Sequence, residues 1–320
     1  ERTRVMRAAV VDRYGPPAVV RVAEVPRPEP RADEVLVRVE AVAVTSGDAR
    51  LRGARFPAGF GFFVRLVFGM ARPRRPILGS SFSGVVETVG ARVGNLAPGD
   101  QVCGLTGTKL GAHAEYVAVP AKKLARKPPA VTHVDAAGLL FGGTTALFFL
   151  RDKAAVRAGM SVLVNGASGA VGTNAVQLAK HLGATVTGVT SAANAALVTD
   201  LGADQVIDYT TEDLTATAER FDVVLDTVGN LSIKSGRRLL SEKGVLLLAV
   251  ASLGDAIRAR GNVVTGSAPE RVEDFDVLLQ LVADGRLTVV HDRVYGLDDI
   301  VDAHRRVDSG HKVGNITLRP

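Results

Sequence analysis

Three glycines carry the clearest chemistry in this sequence. Gly166, Gly169 and Gly172 punctuate VLVNGASGAVG, residues 162–172, where apolar residues run into a stretch of small ones. At this spacing one glycine permits a tight turn, a second lets a pyrophosphate approach the backbone, and a third lets a helix pack closely on a strand. The open amides and the dipole at the start of that helix favour phosphate charge. The stretch therefore predicts a dinucleotide site built on Gly166, Ala167, Ser168, Gly169, Ala170, Val171 and Gly172. A turn whose glycines serve only the fold is the alternative, and the position between an apolar strand and a helix weighs against it.

The adenosine end of such a site is set roughly twenty residues further on, where NAD-binding turns place an acidic residue on the ribose. Here the strand ends Gly188-Val189-Thr190-Ser191, with no carboxylate. A hydroxyl in place of a charge removes repulsion toward a 2′-phosphate, which favours NADP(H) over NAD(H). The following Ala192, Ala193 and Asn194 supply no cation. Ser191 is equally suited to cap a helix over 194–201.

The elements around this turn divide the chain in two. The first third is valine-rich, partly alternating and broken by Gly, Pro and charged clusters, which predicts strands at 5–11, 19–25, 35–43, 84–89 and 114–119, and one after the turn PGDQVCG. From about residue 134 the texture changes. Short apolar strands at 162–164, 185–189, 206–207, 223–225 and 245–249 alternate with helices. The helix over 170–182 spaces Val171, Ala175, Leu178 and Leu182 on one face. Alternation of this kind predicts a parallel sheet covered on both sides. A further amphipathic helix is expected over 270–285, and a final strand over 314–318.

Composition narrows the function classes. At 320 residues, 47% hydrophobic and 22% charged, the chain is ordinary globular material long enough for two domains. The net charge of +6 is spread among interspersed acids, and no nucleic-acid signature accompanies it, so no nucleic-acid partner is expected. The single cysteine, Cys103, excludes an intrachain disulfide and a four-thiolate zinc site, and fits a reducing cytoplasm. The opening ERTRVMRAAVV carries arginines without an adequate apolar stretch, so no signal peptide is expected. No uncharged apolar run is long enough to span a bilayer, and no stable membrane insertion is expected.

NGASGAVGTNAVQLAKHLGATVTGVTS, LGADQVIDYTTED and FDVVLDTVGN resemble the medium-chain dehydrogenase/reductase superfamily, and within it the zinc-free quinone oxidoreductase branch. The resemblance runs nearly the length of the chain. EVLVRVEAVAVTSGDARLRG, PILGSSFSGVVETVG and GAHAEYVAVPA match the family's GroES-like β domain, and AHRRVDSGHKVGNITL its C-terminal return to it. The resemblance implies an α/β fold with a GroES-like β-barrel domain, residues 1–125 and 267–320, and a Rossmann doubly wound parallel sheet domain, residues 126–266. It places Thr145 near the nicotinamide and Tyr209 beside the adenine. Val228, Gly229, Ala249 and Ser252 would border the cofactor. Asn194 and Asn315 complete the expected cofactor contacts, Asn315 standing where relatives commonly carry lysine.

The zinc enzymes of the superfamily hold their metal through Cys and His ligands. By the same resemblance, Thr45 stands at the first cysteine position, and Ser81 and Phe82 where a Gly-His-Glu segment would begin. None of the six histidines has ligand spacing, so no zinc is expected. Without a Lewis acid, alcohol oxidation is hard, whereas hydride delivery to an already electrophilic acceptor remains feasible. The expected reaction is NADPH-dependent reduction of a quinone or activated alkene. A metal-free alcohol or aldehyde dehydrogenase, and a catalytically silent NADPH-binding sensor or RNA-binding module, stay open as alternatives.

The forming oxyanion needs a donor, and Thr45 and Ser46 are the candidates, with Asp48 the usual residue of the branch three positions beyond Thr45. Asp48 as a turn cap or as a partner of Arg50 or Arg52, and Thr45 as a plain strand end, are the competing readings. His113 is expected in a satisfied polar contact, and Cys103 as a small buried hydrophobe. FPAGFGFFVRLVFGMARPRR, 56–75, reads as a lid over an apolar substrate, as local core or a dimer contact, or as a helix resting on a membrane. A small carbonyl, quinone or enone substrate and a homodimer are the expected partners.

Overall fold

Valine-rich alternation in the first third folds as antiparallel sheet. The computed structural model describes residues 4–320. β1 (Val5–Val11) and β2 (Val20–Pro26) form a two-stranded ribbon. β3 (Glu34–Val44) leads into α1 (Ser46–Gly53) and then α2 (Gly61–Phe68). β4 (Ser81–Val89), β5 (Gln101–Leu105), β6 (Tyr116–Pro120) and β7 (Leu124–Arg126) follow. A helix, α3 (His133–Leu147), carries the chain out of this sheet.

The alternating half is a parallel sheet. β8 (Ser161–Asn165) runs through the glycine turn into α4 (Ala170–His181). Then come β9 (Thr185–Thr190), α5 (Ala195–Asp200), β10 (Gln205–Asp208), β11 (Phe221–Asp226), α6 (Ile233–Arg238), β12 (Leu240–Leu248), α7 (Leu253–Arg258) and β13 (Val263–Thr265). The order across the sheet is β10-β9-β8-β11-β12-β13, all parallel. That is the doubly wound order, with its switch point between β8 and β11, where ligands bind beyond the carboxyl ends of the strands.

The chain then returns to the first sheet. α8 (Val272–Ala283), β14 (His291–Gly296), α9 (Ile300–Asp308) and β15 (Asn315–Arg319) complete it. β15 pairs with β3 in the antiparallel sense, giving a seven-stranded sheet ordered β14-β15-β3-β4-β5-β7, with β6 also on β3. β3 is buried on both faces over most of its length because α3 packs across β3 and β4 on one side. The other face shares a core of Val35, Val37, Phe82, Val86, Ile316 and Leu318.

α3 continues through a wider turn, Phe148–Lys153. The stretch His133–Lys153 is long and apolar enough to cross a membrane by length and composition only; its uncharged run stops at Asp135 and Arg151, and 72% of its apolar window is buried inside this fold, as in a core helix. β7, β13 and β14 were not legible as periodic segments, and α9, although Ile300, Ala303, His304 and Val307 share one face, was not read as a helix. β7 and β13 have three residues each, and β14 is the charged HDRVYG.

Candidate active site

Each glycine of the turn answers to a different contact. Gly166 follows β8 at φ 82, in the left-handed region. A Cβ there would stand 2.5 Å from Thr227 Oγ1. A Cβ on Gly172 would stand 2.0 Å from the Gly166 carbonyl oxygen, so α4 lies directly on the turn. Gly169 differs: its φ is −81, and a Cβ would meet only the Gly166 carbonyl oxygen, at an ordinary 3.5 Å. Nothing in the protein requires glycine there, and the space above it is open. The amides of Ala170, Val171 and Gly172, in the first turn of α4, have no acceptor inside their own helix. An open backbone under a row of free amides fits a diphosphate.

The adenosine side is formed by the ends of β9 and β10. Thr190 is buried and donates through its hydroxyl to Ser168 Oγ at 3.0 Å, fixing the turn to β9. Ser191 is half-buried and precedes a short turn without capping it through its side chain. Asn194, not Ser191, precedes α5, and its amide reaches Ser191 Oγ at 3.4 Å. The helix-cap reading of Ser191 is thereby corrected. Tyr209 is 57% exposed beside this edge, its amide on the Thr190 carbonyl, a free ring face of the kind an adenine stacks on. The sequence reading missed Asp208. Hydrogen bonds from Thr210 hold its carboxyl below the ordinary range, and it faces the Ala192 amide.

Opposite, Asp226 organises the loop after β11. It is fully buried and accepts from the amides of Val228 at 3.0 Å, Gly229 at 3.1 Å and Leu231 at 3.1 Å, and from Asn165 Nδ2 at 2.9 Å. That knot joins the ends of β8 and β11 at the switch point and leaves Val228 exposed. Ala249 is tied to β11 through its amide on the Asp226 carbonyl. Ser252 caps α7, exchanging hydrogen bonds with Asp255.

α3 meets α4 at glycine. A Cβ on Gly142 would stand 2.3 Å from the Ala170 carbonyl oxygen, so α3 lies directly against the start of α4, with Thr145 about one turn further along α3. Thr145 donates to the Phe141 carbonyl at 2.8 Å. Asn315, expected at the cofactor, has a local partner instead of a free side chain. Its side chain is buried and its Nδ2 donates to the Val290 carbonyl at 2.9 Å. The residue that meets the turn is its neighbour Gly314, whose amide donates to the Ser168 carbonyl at 2.8 Å. Lys312 holds the Gly314 carbonyl at 2.8 Å, and burial pulls its pKa down to about 8.

At the β3–α1 junction the three candidate catalytic residues take different parts. Thr45 caps α1, and its amide and hydroxyl both donate to Asp48 Oδ2 at 2.8 Å while Oγ1 accepts from the Asp48 amide. Asp48 Oδ1 accepts the Gly79 amide at 3.0 Å. Asp48 therefore pairs with neither Arg50 nor Arg52, and the Thr45 hydroxyl proton already has an acceptor. His113 is buried, with Nε2 2.9 Å from the Ala43 carbonyl. Cys103 is buried and its thiol is pushed up to about 12. Ser46 alone of the three is exposed. It borders a hollow of about 240 Å³ with Ala49, Arg50, Arg55, Val307 and Asp308. Among the described residues no three His, Cys, Asp or Glu side chains converge as a metal site requires.

Residues 31–129 match the alcohol dehydrogenase GroES-like domain, and residues 201–318 match the family described as zinc-binding dehydrogenase. The chain is 30% identical to quinone-oxidoreductase QR1, chloroplastic, of Triphysaria versicolor, over 99% of each chain. It is 32% identical to the NADPH-dependent alkenal/one oxidoreductase, chloroplastic, of Arabidopsis thaliana, over 98% of this chain and 80% of that one. The solved quinone oxidoreductase from Coxiella burnetii superposes with a TM-score of 0.90 at 30% identity, covering 99% of this chain and 100% of its own. The fold and the turn define a medium-chain dehydrogenase/reductase. The chain belongs to that superfamily and to its quinone oxidoreductase-like branch, and it is an NAD(P)H-dependent oxidoreductase.

Proposed function

We propose that this protein is a zinc-independent reductase that passes hydride from NADPH to a quinone or an activated alkene. The observation that carries the reading is the donor set at the β3–α1 junction. Thr45, Ser46 and Asp48 include no thiolate or imidazole, and the oxygens of Asp48 are already taken by Thr45 and Gly79. A site without a Lewis acid suits an acceptor that is electrophilic unaided. Relatives named for quinone and alkenal/one reduction support the same acceptor class.

A bound reduced nicotinamide supplies the hydride. The residues of this chain do the rest. The first-turn amides of α4 and the open backbone at Gly169 hold the diphosphate. The Asp226 knot and Thr145 border the ring and keep the approach dry and oriented. Ser46 offers the free hydroxyl toward the oxygen on which negative charge develops, and solvent supplies the proton. NADPH rather than NADH follows from the missing carboxylate at Ser191, with Asp208 as the opposing charge nearby. The same reading carries a homodimer, with β13 as the edge strand of the parallel sheet.

The test is loss of reduced-nicotinamide absorbance across a panel of quinones and enones, with and without chelator. Turnover that ignores the chelator is expected. No oxidation with any acceptor, or stoichiometric zinc in the purified protein, overturns the reading.

A further inference from the structure

Helix α2 turns its most apolar face away from the protein. Phe62, Phe63, Leu66 and Val67 lie at helical i, i+3 and i+4 spacings on one stripe, and Met70 follows just past the helix end. These five side chains are between 48% and 63% exposed. Val64 and Phe68 are half-buried, and Phe68 packs on the core of the seven-stranded sheet. The outward pose is held at both ends. The Leu253 amide donates to the Ala58 carbonyl at 2.8 Å, and the Tyr14 hydroxyl donates to the Gly69 carbonyl at 2.7 Å. On α7, Ile257 is 65% exposed one turn beyond Leu253, with Arg258 and Arg260 exposed behind it.

Charge identifies the occupant of this face. From Ala49 to Val86 the chain carries seven arginines and no Asp or Glu. Arg52 and Arg55 bind Asp308. Arg72, Arg74 and Arg75, directly after Met70, are exposed and take part in no ion pair among the described residues. The one carboxylate of α7, Asp255, is bound by its own cap Ser252. An apolar stripe rimmed by unpaired guanidinium groups complements a layer of acyl chains beneath anionic headgroups. A second copy fits less well, because a two-fold contact sets the same patch on both sides and brings the arginines together.

We propose that α2 and the arginine-rich turn after it dock the protein reversibly on an anionic lipid bilayer. The docking rests on this surface alone and stands whichever acceptor the enzyme reduces.

Flotation of the full chain with vesicles tests it, using phosphatidylcholine alone or in equal parts with phosphatidylglycerol. Association with the anionic vesicles only is expected. It is lost near 1 M salt, where the Debye length shrinks to about 3 Å. Replacing Arg72, Arg74 or Arg75 by Gln lowers the partition coefficient by about fivefold each. Phe63→Ser together with Val67→Ser abolishes association while the melting temperature is kept. A wild-type protein that stays with the soluble fraction, or equal association with both vesicle types, overturns the proposal. A dimer that Phe63→Ser dissociates, with no vesicle association, overturns it in favour of a second copy.

Discussion

The Gly314 amide donates to the Ser168 carbonyl at 2.8 Å, tying the approach to β15 to the glycine turn after β8. One hydrogen bond thus links the seven-stranded sheet to the cofactor turn of the six-stranded one. Gly314 is held at φ 61, and a Cβ there would stand 2.2 Å from the Val290 carbonyl oxygen. Gly314→Ala adds about 1–3 kcal/mol of backbone strain before any clash is counted. Thermal melting should show the loss of stability, and cofactor titration a weaker affinity, because the turn is then no longer held.

Gly169 and Gly172 separate the ligand's need for glycine from the protein's. Gly169→Ala has room and an ordinary φ, so its stability should stay within about 1 kcal/mol of the parent. Its methyl group occupies the space assigned to the diphosphate, and NADPH affinity should fall roughly tenfold or more. Gly172→Ala should instead lose about 2 kcal/mol or more of stability through overpacking against the Gly166 carbonyl. Melting curves and calorimetric titration of the two variants check the split. A Gly169→Ala protein that binds NADPH normally removes the diphosphate from this turn.

Local requirements were the legible part of this molecule. The turn after β8 could be read because its glycine needs arise within a few residues. Asp226 could not, since its worth lies in amides two to five residues on and in Asn165, which is 61 residues back. The partner of Asn315 was hidden in the same way, because a position in sequence does not give the direction of a side chain, and the Val290 carbonyl takes its side-chain amide. The pose of α2 was left open among a lid, local core, a dimer contact and a membrane-resting helix. An apolar run predicts burial, whereas here the backbone is pinned at Ala58 and Gly69 so that the stripe faces out.

Asp208 sets the expected limit on cofactor preference. Its carboxylate is kept ionised by Thr210 and faces the backbone at Ala192, beside the end of β9 where a 2′-phosphate would lie. Asp208→Asn removes that repulsion. The ratio of kcat/KM for NADPH over NADH should rise severalfold at low salt, and the gain should fade at high salt because the site is exposed. An unchanged ratio would place the adenosine end elsewhere.

Thr45, Asp48 and Ser46 should divide between stability and rate. Asp48→Ala strands the Thr45 amide, the Thr45 hydroxyl and the Gly79 amide, and should cost about 3 kcal/mol of folding stability. Ser46→Ala touches none of those bonds and should leave the melting temperature unchanged. If its hydroxyl meets the forming oxyanion, kcat falls by up to about a hundredfold with little change in KM. A silent Ser46→Ala would move the donor to another group, with Arg50 in the same hollow the first to replace.

His304 makes stability depend on pH in a defined window. The side chain is fully buried, its Nδ1 lies 2.9 Å from Arg52 Nη1, and its Nε2 has no partner among the described residues. Burial first, then His113 and Arg52, holds its pKa well below the usual histidine value. In the unfolded chain the ring takes up a proton near pH 6.5, about the unperturbed value, while the folded ring stays neutral. The unfolded state then binds more protons, so stability falls as pH drops below about 6.5 and is level above it. His133, which burial also lowers, contributes in the same direction. His304→Gln keeps an acceptor for Arg52 and cannot be protonated, so only the share due to His304 disappears. Melting temperatures of the two proteins between about pH 7.5 and about pH 5 should diverge, with the parent the steeper. Parallel curves would mean that His304 titrates alike in the folded and unfolded chain.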